Sequence, residues 1–496
     1  MKDKFSPINL KVVFMCTLIL LSLQKLYAQK KSITINWDNI TIVSKTTPTL
    51  QVVVNPMLRR GSPIHKGTFE ALKNLGADYV RFVPWFPYPH MAVVELRPPA
   101  TNRTFWDFSQ IDPIVEDLME ATSGHSVVIN FSTIPAWMFK NDKSVNYPTG
   151  PDQVFWSYNN GYALRDTTMK ELTDYYVRLF SWYTKGGFSD ELKIFHKSGH
   201  YYTIPYWEVL NEPDLEHNIT PQLYTRMYDA IVRQLKRVSP QTKFIGMSLA
   251  FENNPEWFEY FLNPSNHNSD ISLEGISYHF YGTPDFAGQS LDCYQYSFFN
   301  QANAFLDRVR YIENIRKRLS PQTFTTINEI GNILGDQKGT SIPDAYWNLA
   351  GTMYAYIYVE LAKIGIDVAG ESQLVGYPTQ YPDVSMMDWK NGKPNARFWV
   401  LKLLKDNFAS GDKLVWTNSN SSDVTSQAFI TKEGKKLLLI NKRNKETQLE
   451  LPAEAKEAEM YSVDVSTQEN QAVKTLVTGN NITLKPFAVV VIKLKN

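Results

Sequence analysis

The chain has 496 residues, 43% hydrophobic and 20% charged, with a formal net charge of +1. That length exceeds one small domain and suits a barrel, which takes about 250 residues and passes 400 with insertions, plus a smaller unit. Near-neutral charge gives no electrostatic case for nucleic acid as a partner, and two cysteines make neither a disulfide framework nor a cysteine-based metal site.

The chain opens like an export signal. Lys2, Lys4 and Lys11 precede an apolar run over 12–23, too short to cross a bilayer comfortably, and Leu26-Tyr27-Ala28 offers cleavage after Ala28. Val13-Phe14-Met15 ahead of Cys16 lacks the small residues of a lipid-attachment box. Secretion, or delivery to a periplasm, is expected, with no membrane span once 1–28 is removed. That segment carries a net +3, four lysines against Asp3, so the remainder is two charges negative and keeps only Cys293.

Residues 29–47 alternate apolar and polar side chains (Ile33, Ile35, Trp37, then Ile40 and Ile42) and predict exposed-edge strands that join a C-terminal sheet. From 48 to 408 strands and helices alternate. Strands are expected at 50–54, 78–83, 126–132, 206–210, 243–247, 273–279, 323–328 and from 366. Helices are expected at 66–75, 111–122, 168–183, 221–238, around 256–262, and at 301–319, 343–363 and 395–407. Eight such units predict a closed (β/α)8 TIM barrel. An open doubly wound sheet would carry a Gly-rich phosphate loop after its first strand, and 56–61 is not one. From 409 to 496 short β-rich runs separated by turns such as Glu433-Gly434-Lys435 predict an antiparallel β-sandwich.

Barrel chemistry sits at the C-terminal ends of the strands. The fourth predicted strand ends in Asn211-Glu212-Pro213-Asp214 and the seventh in Asn328-Glu329-Ile330-Gly331. Each puts a carboxylate straight after an apolar run, where carboxylates are rarely buried without a reason. Strands four and seven face each other across a barrel mouth. Glycoside cleavage needs such a pair: one carboxylic acid protonates the leaving oxygen, and in a retaining enzyme a second carboxylate attacks the anomeric carbon. Glu212 is the expected general acid/base and Glu329 the nucleophile.

Asn211-Glu212-Pro213 with a carboxylate ending strand seven resembles the clan A retaining glycosidases. The stretch 207–217, with Tyr228-Asp229-Ala230 and 240–246, is similar to glycoside hydrolase family 39, which includes β-xylosidases and α-L-iduronidases. Barrel then sandwich is that family's order too, so the resemblance covers nearly the whole chain after the signal. The segment around Glu329 departs from a tight family signature. The resemblance implies that Asn211 holds a sugar 2-hydroxyl, and that no cofactor is used.

Other candidates follow from position. Arg81 is a charge inside an apolar strand and either keeps Glu329 ionised or forms a plain buried ion pair. His279 and Tyr281 end strand six, within reach of the nucleophile. Trp85, Trp137 and Trp389 follow strands two, three and eight and are candidates for stacking on sugar faces. Glu371, near the end of strand eight, is a sugar-binding candidate and a reserve nucleophile. Arg59, Arg60, Arg97 and Arg103 stand in loops that could meet a uronate. No metal ligand set is expected: no His-x-x-x-His pair occurs. Gly-x-Ser-x-Gly is also absent, which speaks against a serine hydrolase. The partner expected is a carbohydrate. The competing readings are a non-catalytic carbohydrate-binding protein on the same barrel and an inverting hydrolase.

Overall fold

The computed structural model describes residues 31–140, 145–158, 161–335, 342–376 and 382–495; the expected export signal lies outside them. Eight parallel strands close into a barrel: Thr47–Val53, Val80–Val83, Val127–Ile129, Tyr206–Glu208, Lys243–Leu249, Gly275–Gly282, Phe324–Asn332 and Val368–Glu371, numbered one to eight here. Strand eight closes on strand one from Val368 opposite Thr47 to Glu371 opposite Leu50. Strand one thus starts at Thr47, ahead of the predicted 50. Strands covered by helices outside and filled by side chains inside are buried on both faces, so they read as continuous apolar runs. Val80–Val83 is buried at every position, Arg81 included.

The helices between the strands are set by ordinary end signals. Pro221–Val238 has Thr220 accepting from the Leu223 N–H, a proline in its first turn, and Lys236 and Arg237 in its last. The helix after strand six runs Leu291–Leu319 and so begins well before the predicted 301. Its first turns bury Tyr294, Gln295, Ser297, Phe298 and Phe299 together, and that polar and aromatic mixture hides the helical period. A hairpin of Gly187–Ser189 with Phe195–Lys197 precedes strand four. Its strands are too short for alternation to register in the sequence.

The C-terminal unit is a seven-stranded sheet with a two-stranded partner. Ile33–Val43 is one strand, not two; it forms the sheet's edge against Lys413–Ser419, with register shifts that absorb the extra residues. The two-stranded ribbon pairs Thr447–Glu450 with Asn481–Leu484. Alternation divides the large sheet's side chains between two cores. Phe429, Leu438, Ile440, Val489 and Val491 join the barrel's core, while Ala428, Leu437, Leu439, Val490 and Ile492 form the sandwich interior with Leu449 and Leu484. Thr352 Oγ1 donates to the Phe487 carbonyl at 2.7 Å, and Trp399 Nε1 to that of Glu469 at 2.8 Å, tying the two units together.

Candidate active site

The barrel floor is polar. Glu208, on strand four, is fully buried and accepts four bonds: Oε2 from Arg81 Nε at 2.5 Å and Asn130 Nδ2 at 2.7 Å, Oε1 from Ser277 Oγ at 2.5 Å and Asn328 Nδ2 at 2.6 Å. Every strand, or the residue just past it, supplies at least one member of this network, from Gln51 on strand one to Ser372 after strand eight. A buried carboxylate is tolerated when its lone pairs are all used. Glu208 does that here and fixes the Arg81 guanidinium, whose Nη1 donates to Glu329 Oε1 at 2.6 Å. Nη2 of Arg81 donates to Asn211 Oδ1 at 2.7 Å and Ser248 Oγ at 2.8 Å.

Local backbone irregularity aims the cavity's carboxylates. On strand seven the register against strand six slips between Ile327 opposite Tyr278 and Glu329 opposite His279, a bulge at Asn328. It lets two consecutive side chains point inward, Asn328 to Glu208 below and Glu329 to the cavity above. After strand four, Leu210 and Glu212 take left-handed backbone with φ of 64° and 42°. Such conformations are uncommon outside glycine and gather at functional turns. Met247 and Ser248 do the same at the end of strand five. Gly331 must be glycine for a plainer reason: a Cβ there would stand 2.9 Å from the Tyr281 ring.

These elements enclose a cavity of about 610 Å³ lined by Glu212, Glu329, Asn211, His279, Tyr281, Gln51 and Trp85, with Phe251, Phe280 and Leu215 adding apolar surface. One oxygen each of Glu212 and Glu329 and one ring nitrogen of His279 lie within 4.8 Å of one another. His279 stands between the carboxylates: Nδ1 is 2.9 Å from Glu212 Oε1, while Nε2 is 3.1 Å from Ser248 Oγ and 3.5 Å from Glu329 Oε1. Glu329 also accepts from Gln51 Nε2 at 2.6 Å on Oε1 and from Tyr281 at 2.6 Å on Oε2. Glu212, His279 and Glu329 are the one group among the described residues with metal-ligating atoms this close. A cation there would compete with Arg81, Gln51 and Tyr281 for the same carboxylate, so the donor set suits an acid–base pair better.

The two carboxyls are driven apart. Burial raises the pKa of Glu212 and the negative charge of Glu329 adds to it, against the opposing pull of His279. Burial pushes Glu329 upward as well, but the charges of His279 and Arg81 and the Tyr281 hydroxyl outweigh it and hold its pKa below the usual value. Burial disfavours a charge on His279, yet Glu329 and Glu212 prevail and raise its pKa. Two carboxyls whose surroundings push their pKa values apart in one cavity can divide the work of acid and base.

Other sequence candidates divide. Trp85 lines the cavity, its Nε1 donating to Glu216 Oε1 at 2.5 Å. Glu371 does not reach the cavity. Its side chain points away from the barrel interior and pairs with Arg397 at 2.9 Å, both about 1% exposed, so it anchors the last helix and is neither a sugar ligand nor a nucleophile. Trp137 stands in a separate groove, its Nε1 held by the Glu95 carbonyl at 2.8 Å and its ring covered by Arg165. Trp389 lines a different cavity against the sandwich. Neither indole lines the cavity between Glu212 and Glu329. Arg59 pairs with Asp152, and Arg60 with Glu116 and Asp117. Arg97 and Arg103 lie by Phe105; none of the four lines the cavity.

Gln51, Glu208, Ser248, Ser372 and Glu216 were not singled out in the sequence. Glu216 holds Asn211 Nδ2 at 2.9 Å as well as Trp85. A signal existed for Glu208, a carboxylate inside an apolar strand like Arg81. Gln51 and the serines carry no charge and leave no such mark.

Fold and site together define a (β/α)8 barrel with a paired-carboxylate centre and a C-terminal β-sandwich. No protein-family model matches the chain, and no curated protein matches it by sequence. Solved structures match its fold over nearly its whole length. A GH51 arabinofuranosidase from Xanthomonas axonopodis pv. citri is similar at TM-score 0.64 and 14% identity, covering 94% of this chain and 100% of that one. A GH30 endoxylanase from Clostridium papyrosolvens is similar at TM-score 0.57 and 14% identity, covering 93% and 99%. A conserved exported protein from Bacteroides fragilis is similar at TM-score 0.61 and 10% identity, covering 93% and 100%. At these identities the likeness establishes the architecture.

Proposed function

We propose that the protein is a retaining glycoside hydrolase of the clan A type, with Glu212 as general acid/base and Glu329 as nucleophile. The observation that carries this is the approach of the two carboxyls within 4.8 Å across one cavity with opposed pKa shifts. Retaining pairs stand about 5–5.5 Å apart, whereas an inverting pair leaves about 6.5–9.5 Å for a water. The likeness in fold to an arabinofuranosidase and an endoxylanase agrees with this reading.

In the first step the Glu329 carboxylate attacks the anomeric carbon while the glycosidic bond breaks and Glu212 gives its proton to the departing oxygen. The positive charge of Arg81 and His279 keeps Glu329 ionised before attack. In the second step Glu212, now a carboxylate, takes a proton from water as that water attacks the anomeric carbon and Glu329 departs. Asn211, fixed by Arg81, Ser248 and Glu216, keeps one Nδ2 hydrogen for a sugar hydroxyl.

The cavity favours a neutral sugar. Among its described lining residues the cations are His279 and Arg308, and Arg308 is paired with Glu252. A uronate would meet Glu212, Glu252 and Glu329 instead, so within the family 39 resemblance the xyloside arm fits better than the iduronide arm. The arabinofuranosidase and endoxylanase neighbours make arabinofuranosides and xylosides the first substrates to try. Export is part of the proposal, on the strength of the basic and apolar segment 1–28; N-terminal sequencing of protein recovered outside the cytoplasm should begin at Gln29.

The deciding experiment is sugar release from β-xylosides, α-L-arabinofuranosides, β-galactosides and iduronides by the wild type, Glu212→Gln and Glu329→Gln. The anomer first released is followed by proton NMR. Activity lost in both variants, with retained configuration, supports the reading. An inverted first product, or activity that survives Glu329→Gln, overturns it.

A further inference from the structure

A second cavity, of about 790 Å³, lies where the loop after strand eight, the helix Ala345–Ile364 and a turn of the sandwich meet. Two indoles line it, Trp389 from the loop and Trp347 from the helix's first turn, both half-buried. Two N–H donors in its wall, Trp389 Nε1 and Asn348 Nδ2, are covered and have no acceptor; Asn348 as a whole is 3% exposed. Leaving a buried donor unmade costs about 1–3 kcal/mol, so such groups call for a partner. Acceptors line the same cavity. Asp344 precedes the helix without capping it, and Glu469 of the sandwich offers its carboxylate, since Trp399 uses only its backbone carbonyl.

Flat rings, unpaired donors and free carboxylates around one hollow match the needs of a neutral glycan, whose hydroxyls both give and take hydrogen bonds and whose ring faces are apolar. Asp344, Asp388 and Glu469 against Lys390 make the wall net acidic, which disfavours an anionic polymer. The cavity also lies beside the catalytic one. Barrel helices run against the strands, so the N-terminus of Ala345–Ile364 opens on the catalytic face. Val384 lines the first cavity and Met387 the second, at most about 10 Å apart along the chain.

We infer that this junction cavity is a second carbohydrate-binding site, built jointly by barrel and sandwich, that holds a distal stretch of a neutral polysaccharide whose bond is cleaved between Glu212 and Glu329. The inference rests on the glycosidase reading for its use but not for its test. kcat/KM is measured on soluble arabinoxylan and on the matching nitrophenyl glycosides for the wild type, Trp347→Ala and Trp389→Ala. A loss of about tenfold on the polymer, equivalent to about 1.4 kcal/mol, with the small substrates within twofold, is expected. Equal losses on both, or none on the polymer, overturn it. Should the tryptophan variants not fold, the double variant Asp344→Ala and Glu469→Gln replaces exposed or half-exposed carboxylates and carries the same expectation. If the wild type cleaves nothing, the catalytic reading fails separately, and gel retardation by arabinoxylan and by linear arabinan decides the site. Retardation relieved in the variants supports it; no retardation, or retardation the variants leave unchanged, overturns it.

Discussion

The hydroxyl of Tyr281 donates to Oε2 of Glu329 at 2.6 Å, the carboxylate oxygen that Arg81 and Gln51 do not touch. Hydrogen bonds to a charged group are worth about 1.5–3 kcal/mol. Tyr281→Phe should therefore raise the pKa of Glu329, move the acid limb of the pH–rate profile toward neutrality and lower kcat by roughly ten- to a hundredfold. An unmoved acid limb would reduce Tyr281 to packing.

The opposed shifts of Glu212 and Glu329 predict a bell-shaped kcat/KM. Activity rises as Glu329 ionises, below the usual carboxylate range, and falls as Glu212 loses its proton, above it. Glu212→Gln should abolish the alkaline limb and keep the acid one. A profile whose alkaline limb persists in that variant would put the acid elsewhere.

Leaving groups separate the two carboxyls. With Glu212→Gln, alkyl glycosides should lose about 10²–10⁴-fold in rate, while glycosides of acidic phenols, which depart without a proton, should lose far less in the first step. Glu329→Gln should be dead on both. Equal losses for both leaving groups in Glu212→Gln would contradict its role.

Arg81→Met would leave Glu208 and Glu329 buried without their cation. Removing one partner of such a pair costs about 3–5 kcal/mol, to be read from denaturant midpoints. Arg81→Lys keeps a charge but cannot reach Glu208, Glu329, Asn211 and Ser248 together, so it should fall between. A loss below about 1 kcal/mol for Met would show that Glu208 finds its stability elsewhere.

Glu216 offers a stability test. Burial first, and then the charge of Glu212, hold its pKa well above the usual carboxylate value. The folded protein therefore keeps a proton that the unfolded chain releases. The associated stability is present below the unfolded pKa of about 4.3 and is lost as pH rises from there through the raised value. Glu216→Gln keeps an acceptor for Trp85 and Asn211 and should flatten that decline, seen as a smaller fall of Tm between mildly acidic and alkaline buffer. An unchanged slope would mean that Glu216 ionises freely in the fold.

The eight-unit order was legible because short apolar runs such as Thr47–Val53 and Val80–Val83 alternate with longer amphipathic stretches, several with an end signal such as Thr220 before Pro221–Val238. Glu212, Glu329, Arg81, His279 and Tyr281 were legible for a related reason: polar groups stand out inside apolar strands. What could not be read was direction. Glu371 breaks an apolar strand as plainly as Glu329 does, yet it faces outward to Arg397, while the bulge at Asn328 turns Glu329 inward. Trp137 and Trp389 follow the right strands, but loop paths decide which hollow an indole enters. Gln51 and Ser372 are uncharged, and only the closed barrel brings them against Glu329 and Tyr281.

The edge strand Ile33–Val43 pairs with Lys413–Ser419, so the sandwich is encoded at both ends of the chain with the barrel between. Made well before its partner, this strand stays unpaired until some 370 further residues follow, roughly 20–75 s at about 5–20 residues per second. Through that interval it is an unpaired β segment, and Asp38, Asn36 and the half-exposed alternation of its side chains help it remain solvated. The barrel, which lies between the two in sequence, is thus free to fold before this strand meets Lys413–Ser419.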